Sequence, residues 1–189
     1  MVSRLLLLLL AFPAQAAELE GVTLEDRIRV DGQELQLNGM ALRTRYVFAK
    51  VYVAGLYLPS RTAVAQAAIE GPGAKRIILV MLRDATAEQF VESIDHAMRA
   101  NNTDEQIAAV KAQVDELYAM IRAVGQSRTG ARIVLDYQPS AGGTTLFVDG
   151  VPQGRPMAGE PFYRALLRIW LGEDPVQADL KEALLGGVQ

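Results

Sequence analysis

Arg43, Arg45, Lys50 and Tyr52 interrupt an otherwise apolar stretch of the sequence. Burying a charge without a partner is costly, so cations in an apolar strand call for an explanation. One interpretation is a cationic and phenolic end to an apolar pocket, suited to an anionic head group or a developing oxyanion. The other is a solvated strand end at Arg43 and Arg45, with Lys50 extending its amine into water. The spacing alone favours the solvated strand end. Arg43 and Tyr52 are an odd number of positions apart, so in a single strand their side chains would point to opposite faces.

The composition excludes several other kinds of site. The chain of 189 residues has no cysteine and a single histidine, His96. These counts exclude a structural zinc site, an iron–sulfur cluster, a disulfide framework and thiol catalysis, so no metal site is predicted. We find no dinucleotide-binding or phosphate-binding glycine motif and therefore predict no cofactor. The 19 basic and 22 acidic side chains give a net charge of -3, which offers no basic footprint for nucleic acid.

Residues 1–16 have the pattern of a cleavable signal peptide. Arg4 supplies the positive charge, residues 5–12 are apolar, and Pro13-Ala14-Gln15-Ala16 provides an A-x-A cleavage site. The apolar run is shorter than the ~20 residues that a membrane-spanning helix needs. We therefore predict cleavage after Ala16, no transmembrane segment afterwards, and a periplasmic or secreted protein. The absence of cysteine favours a bacterial periplasm. Residues 17–189 have the length of a single domain.

The strand patterns predict an antiparallel sheet. Asp31-Gly32 is a two-residue hairpin signal between alternating segments. Residues 46–58 and 76–82 are apolar on both parities, which is typical of inner strands covered on both faces. Residues 131–137 and 144–148 form a further strand pair, and Asp149-Gly150 is another tight turn.

Helices are predicted between and after these strands. Two capping boxes, beginning at Thr86 and at Thr103, each open a helix, and the second helix runs to Gly125 on a 3-4-3-4 apolar stripe. Ser60 is expected to cap a short helix that ends at Ile69. Two C-terminal helices are predicted at 160–171 and 176–185. Because the order shows no regular strand–helix alternation, the sequence predicts one α+β domain with helices on one face of the sheet.

Five segments carry a resemblance to the chalcone isomerase superfamily, and to its exported bacterial branch in particular. Residues 39–43 (Gly-Met-Ala-Leu-Arg) and 50–58 (Lys-Val-Tyr-Val-Ala-Gly-Leu-Tyr-Leu) resemble the start of the family's domain. Residues 76–97 resemble its buried strand and catalytic helix, and residues 162–172 together with 180–185 resemble its C-terminal helices. The resemblance implies an open-faced sandwich in which an antiparallel sheet and a layer of helices enclose an apolar cleft.

The resemblance also implies roles for individual residues. Plant enzymes of the family close a chalcone to a flavanone, and their non-catalytic relatives bind fatty acids with an arginine and a tyrosine on the carboxylate. Arg43 matches that arginine, Tyr52 matches the tyrosine of the fatty-acid binders, and Phe90 matches an active-site tyrosine of the isomerases. Together with Met40 and Lys50, these residues form the ligand-binding set that we predict.

Three departures from the isomerase pattern separate the possible functions. Phe90 lacks the hydroxyl of the isomerase tyrosine, Ser93 replaces a lysine and Ala97 replaces an asparagine. The leading hypothesis is therefore an exported, non-catalytic protein that binds a fatty acid or a similar small apolar carboxylate. The first alternative is an isomerase or lyase acting on a chalcone-like phenolic or enone, with Arg43 as its candidate catalytic residue. The second is a structural or partner-binding periplasmic protein, although the sequence identifies no protein partner.

Overall fold

The computed structural model describes residues 16–46 and 49–187. Its strands are β1 (Ala16–Leu19), β2 (Val22–Glu25), β3 (Arg27–Val30), β4 (Gln33–Arg45), β5 (Ala49–Leu58), β6 (Lys75–Met81), β7 (Ala85–Thr86), β8 (Gln126–Ser127), β9 (Arg132–Gln138), β10 (Gly143–Val148) and β11 (Val151–Ala158). Its helices are α1 (Ala65–Glu70), α2 (Ala87–Asn101), α3 (Asp104–Ala109), α4 (Lys111–Val124), α5 (Glu160–Leu171) and α6 (Ala178–Leu184). Residues 1–15 of the predicted signal peptide lie outside the described residues.

A seven-stranded antiparallel sheet organises the fold, in the order β11-β10-β9-β6-β5-β4-β3. β5 and β6 lie inside this sheet, and all of their residues from Tyr52 to Leu58 and from Ile77 to Met81 are buried. This confirms the prediction of inner strands covered on both faces. The α+β class and the antiparallel sheet with its layer of helices are confirmed as well.

The sheet has an apolar core on each face. On the helical face, alternate residues of β5 such as Tyr52, Ala54 and Leu56 pack with side chains of the helices. On the other face, Val53 and Tyr57 pack in a second cluster, which includes Val22 and Leu24 of β2. The hairpin of β1 and β2, which the sequence analysis did not anticipate, therefore covers the second face.

The two capping boxes and the two Asp-Gly turns were predicted correctly. Thr86 and Thr103 each cap a helix and form the reciprocal bonds of a capping box with Gln89 and Gln106. The expected single helix after Thr103 is wrong, however, because it breaks at Val110 into α3 and α4. Val110 itself is buried, so the apolar stripe continues across the break.

Two predicted boundaries were also wrong. The stretch 46–58 is not one strand, because the chain turns at Tyr46 (φ 50°) and β5 begins only at Ala49. The short helix begins at Ala65 rather than after Ser60. Thr62 explains the second difference, because its amide donates to Asn38 Oδ1 and so holds this segment against β4 before the helix can start.

Candidate functional site

The hairpin of β4 and β5 brings Arg43 and Tyr52 together. The two residues are direct cross-strand partners, and such partners project from the same face of an antiparallel sheet. The parity argument against this pairing was wrong because it treated the two residues as members of one strand. Ala41 and its partner Ala54 lie on the same, helical face as Tyr52.

Tyr52 is a buried phenol, only 8% exposed. Its oxygen accepts a hydrogen bond of 3.0 Å from Nε1 of Trp170 on α5. Burial raises the pKa of Tyr52, while the hydrogen bond from Trp170 and the adjacent Arg43 act in the opposite direction. The hydroxyl is therefore protonated near neutral pH. Within the described residues no protein acceptor takes its proton, so Tyr52 can donate to a ligand.

Arg43 is a half-buried cation beside this hydroxyl. Its Nη1 donates to Thr44 O at 2.6 Å and to Gln177 Oε1 at 3.0 Å. Both acceptors are neutral oxygens, and no ion pair between described residues includes Arg43. The arrangement can therefore accept an anion, because an arginine pairs more strongly with a carboxylate than with neutral groups.

Gln177 completes the surroundings of Arg43, and it was not among the residues predicted from the sequence. Its Oε1 also accepts from the amide of Thr44 at 2.9 Å, and its Nε2 donates to Leu42 O at 3.2 Å. Gln177 is 134 residues from Arg43 along the chain. No local pattern marks a lone glutamine at that separation, so only the packing of α6 against β4 reveals it.

The other three predicted ligand-binding residues lie in different surroundings. Phe90 is half-buried on α2 and packs against the helical-face core that contains Tyr52. Met40 packs instead with the cluster on the opposite face of the sheet. The side chain of Lys50 is half-exposed and forms an ion pair of 2.5 Å with Glu20. The structure thus brings Tyr52 and Arg43 together, with Phe90 on their side of the sheet.

Two depressions on the described surface lie away from these residues. One, of about 330 Å³, lies between Asn38, Thr62 and Gly186, and another, of about 270 Å³, lies between Glu25 and Glu34. Neither is lined by Arg43 or Tyr52. Trp170, which is buried, occupies space on the helical side of Tyr52. The helical side of Tyr52 is therefore packed with side chains of the apolar core.

The described part of the chain, residues 16–46 and 49–187, shows no metal-binding cluster and no membrane-spanning helix. No group of three or more histidine, aspartate or glutamate side chains there is arranged to hold a metal ion. None of the helices in that part of the chain is both long and apolar enough to cross a membrane. His96 is exposed on α2, where it is a surface residue and not part of the Arg43 site.

Comparison with known proteins identifies the family. A sequence profile described as chalcone isomerase-like matches residues 16–186. Among solved structures, the crystal structure of an Arabidopsis thaliana fatty-acid binding protein is similar, with a TM-score of 0.70 at 14% identity over 90% of this chain and 96% of that one. At that identity the likeness concerns the fold alone. A search of curated protein sequences finds no match. The profile spans nearly all of the described residues, and the chain therefore belongs to the chalcone isomerase-like family.

Proposed function

We propose that this protein binds a fatty acid or a similar small apolar carboxylate without catalysing a reaction on it. The observation that carries the proposal is the pair of Arg43 and Tyr52. A half-buried guanidinium without an acidic partner among the described residues lies directly opposite a buried hydroxyl whose proton has no protein acceptor there. A carboxylate accepts from both groups at once.

The donors around Arg43 suit a carboxylate particularly well. An ionised carboxyl group has two oxygens and only accepts hydrogen bonds. Arg43 Nη1 and the Thr44 amide already converge on one oxygen, that of Gln177, and the Tyr52 hydroxyl is a further donor beside them. Hydrogen bonds between charged partners are roughly twice as strong as neutral ones, and a partly dry site strengthens them further.

The surroundings of the pair favour binding over isomerisation. Phe90, at the position that the family resemblance assigns to an isomerase tyrosine, packs as an apolar side chain against the helical-face core. It offers no hydroxyl to a polar network around a substrate carbonyl. The structural likeness to a fatty-acid binding protein supports the same choice, since that fold accommodates an apolar ligand in at least one relative.

The test is a titration of delipidated protein with dodecanoate, followed by calorimetry. We expect wild type to bind and Arg43→Ala to bind about 10- to 100-fold more weakly, the range expected for losing hydrogen bonds to a charged group. Tyr52→Phe is expected to weaken binding by a smaller factor, because it removes one neutral donor.

Arg45→Ala is the matched control for that titration. Arg45 is an exposed arginine two residues along the same strand, and its guanidinium stacks 5.0 Å from the ring of Tyr46. Removing it changes the net charge by the same amount but leaves the proposed donors in place. Equal losses in Arg43→Ala and Arg45→Ala, or a wild type without measurable affinity for dodecanoate or hexadecanoate, would contradict the proposal.

Export is part of the proposal. The charged start, apolar run and A-x-A site within residues 1–16 support cleavage after Ala16 and a periplasmic or secreted location. We expect the intact mass of the protein from its native host to correspond to a chain that starts at Ala17. A mass that includes residues 1–16 would rule out cleavage at that site.

A further inference from the structure

Gln177 directs its side chain away from the helix that it precedes. It stands at the N-cap position of α6 with an extended backbone (φ -165°, ψ 129°), yet its side chain makes no capping bond. An N-cap side chain normally accepts from the first turn of its helix. Here all three hydrogen bonds of the carboxamide go to β4, at Arg43, Thr44 and Leu42.

The carboxamide oxygen lies where the proposed ligand would place a carboxylate oxygen. Arg43 Nη1 and the Thr44 amide donate to it at 3.0 Å and 2.9 Å. Two converging donors, one of them charged, are the partners that a carboxylate oxygen takes in a protein. Gln177 Oε1 has the same geometry but carries no full negative charge, so it forms the weaker of the two possible contacts with Arg43.

The main chain around Gln177 is held independently of these bonds. The Val176 amide donates to Ile169 O at 3.0 Å, and the Asp174 amide donates to Asn101 Oδ1 at 2.9 Å. Lys181 Nζ donates to Gly172 O at 2.7 Å. The carboxamide can therefore leave Arg43 by a change of side-chain rotamer, while the linker between α5 and α6 stays in place.

We propose that Gln177 covers the head-group position of the Arg43 site and that an acid binds by displacing this side chain. The inference rests on the proposed function and identifies the residue that determines head-group selectivity. An ionised carboxylate offsets the lost contacts of Gln177 with stronger bonds to Arg43. A methyl ester or an alcohol of the same chain length does not, so the site selects ionised acids.

Two substitutions at this position have opposite expected effects on the affinity for dodecanoate. Gln177→Ala removes the cover, and we expect binding about tenfold tighter than wild type, on the scale of one or two net hydrogen bonds. Gln177→Glu keeps the size of the side chain but places a permanent carboxylate beside Arg43. We expect it to weaken binding at least about tenfold. A purely structural role for Gln177 would not tighten binding when the side chain is removed.

Calorimetry with wild type, Gln177→Ala, Gln177→Glu and Arg43→Ala separates the two proposals. Two results would contradict the proposed role of Gln177. One is that Gln177→Ala binds dodecanoate no more tightly than wild type, and the other is that Gln177→Glu binds it as well as wild type. In either case the proposed function stands as long as wild type binds dodecanoate and Arg43→Ala binds it at least about tenfold more weakly. If neither wild type nor Gln177→Ala binds the acid, the proposed function itself fails. Because Gln177→Glu conserves the volume of the side chain, it tests the proposed role of Gln177 even if Gln177→Ala does not fold.

Discussion

Replacing Asp136 by alanine is expected to lower the free energy of unfolding by about 3 kcal/mol. Asp136 is only 2% exposed on β9, and its carboxylate accepts two hydrogen bonds from Arg76 on the neighbouring strand β6, from Nε at 2.6 Å and from Nη2 at 2.5 Å. Removing the acid leaves a mostly buried guanidinium without its partner. Urea unfolding monitored by circular dichroism measures the change, provided that the m-value is conserved.

An exposed ion pair on the same sheet provides the control. Arg27 and Glu34 pair across β3 and β4 with both side chains about half in solvent. Because water screens such a pair, Glu34→Ala should cost less than about 1 kcal/mol. The double variant with Arg76→Met and Asp136→Leu should recover most of the lost stability, since it removes both buried charges. Similar losses in Glu34→Ala and Asp136→Ala would show that burial is not the cause.

Gly39→Ala is expected to destabilise the protein by about 3 kcal/mol or more, as overpacking against main chain does in the severe cases. A Cβ atom at this position would overlap Ala183 O and would lie 2.6 Å from Leu184 O. Both are main-chain atoms at the end of α6, so the helix itself has to move. Thermal unfolding measures this loss of stability as a lower Tm. Since Gln177 precedes α6, we expect a change in the affinity for dodecanoate as well.

Gly21→Ala is the control for this substitution. It measures the free-energy cost of replacing a glycine at a position where the new Cβ atom overlaps nothing. Gly21 lies in the turn between β1 and β2 with φ +75°, and a Cβ atom there would contact nothing within 4 Å. Its substitution should cost about 1–2 kcal/mol, from the left-handed conformation alone. A smaller loss in Gly39→Ala than in Gly21→Ala would mean that α6 adjusts freely, and would weaken the view that it is firmly docked.

The docking of α6 on β4 connects these predictions to the candidate site. A register shift between Leu37 and Gly39 marks a bulge at Asn38, whose Nδ2 donates to Leu184 O at 2.7 Å. Gln177 binds the same strand at the other end of the helix. The bond from Asn38 holds the C-terminal end of α6 on β4, and with the helix docked in this way the Gln177 carboxamide lies beside Arg43.

Local patterns in the sequence determined much of the fold. Alternation and two-sided apolar runs predicted the inner strands, and the capping boxes at Thr86 and Thr103 marked the starts of two helices. The Asp31-Gly32 and Asp149-Gly150 turns are formed as expected, each with positive φ at both residues. These features follow from backbone sterics and hydrogen bonds within a few residues, so a short window of sequence contains the information that they need.

The sequence identified Arg43 and Tyr52 as candidates, but it could not show that they meet. Their contact depends on the hairpin register, in which the turn after β4 makes them direct partners. The surroundings of Lys75 could not be predicted from the sequence either. The sequence predicted a strand from residue 76, yet Lys75 is 1% exposed, with its amine 5.5 Å from the Tyr137 ring and 3.8 Å from Glu160. Burial lowers its pKa, which no local pattern indicates.

Only the tertiary structure decided what surrounds the two candidates. Trp170 donates to Tyr52 across 118 residues of chain, and Gln177 accepts from Arg43 across 134. Both contacts depend on how α5 and α6 pack on the sheet, and periodicity carries no information about partners at that separation. The sequence therefore determined that the candidate site contains a cation and a phenol. The packing of the two C-terminal helices determined that Trp170 donates to Tyr52 and that Gln177 accepts from Arg43.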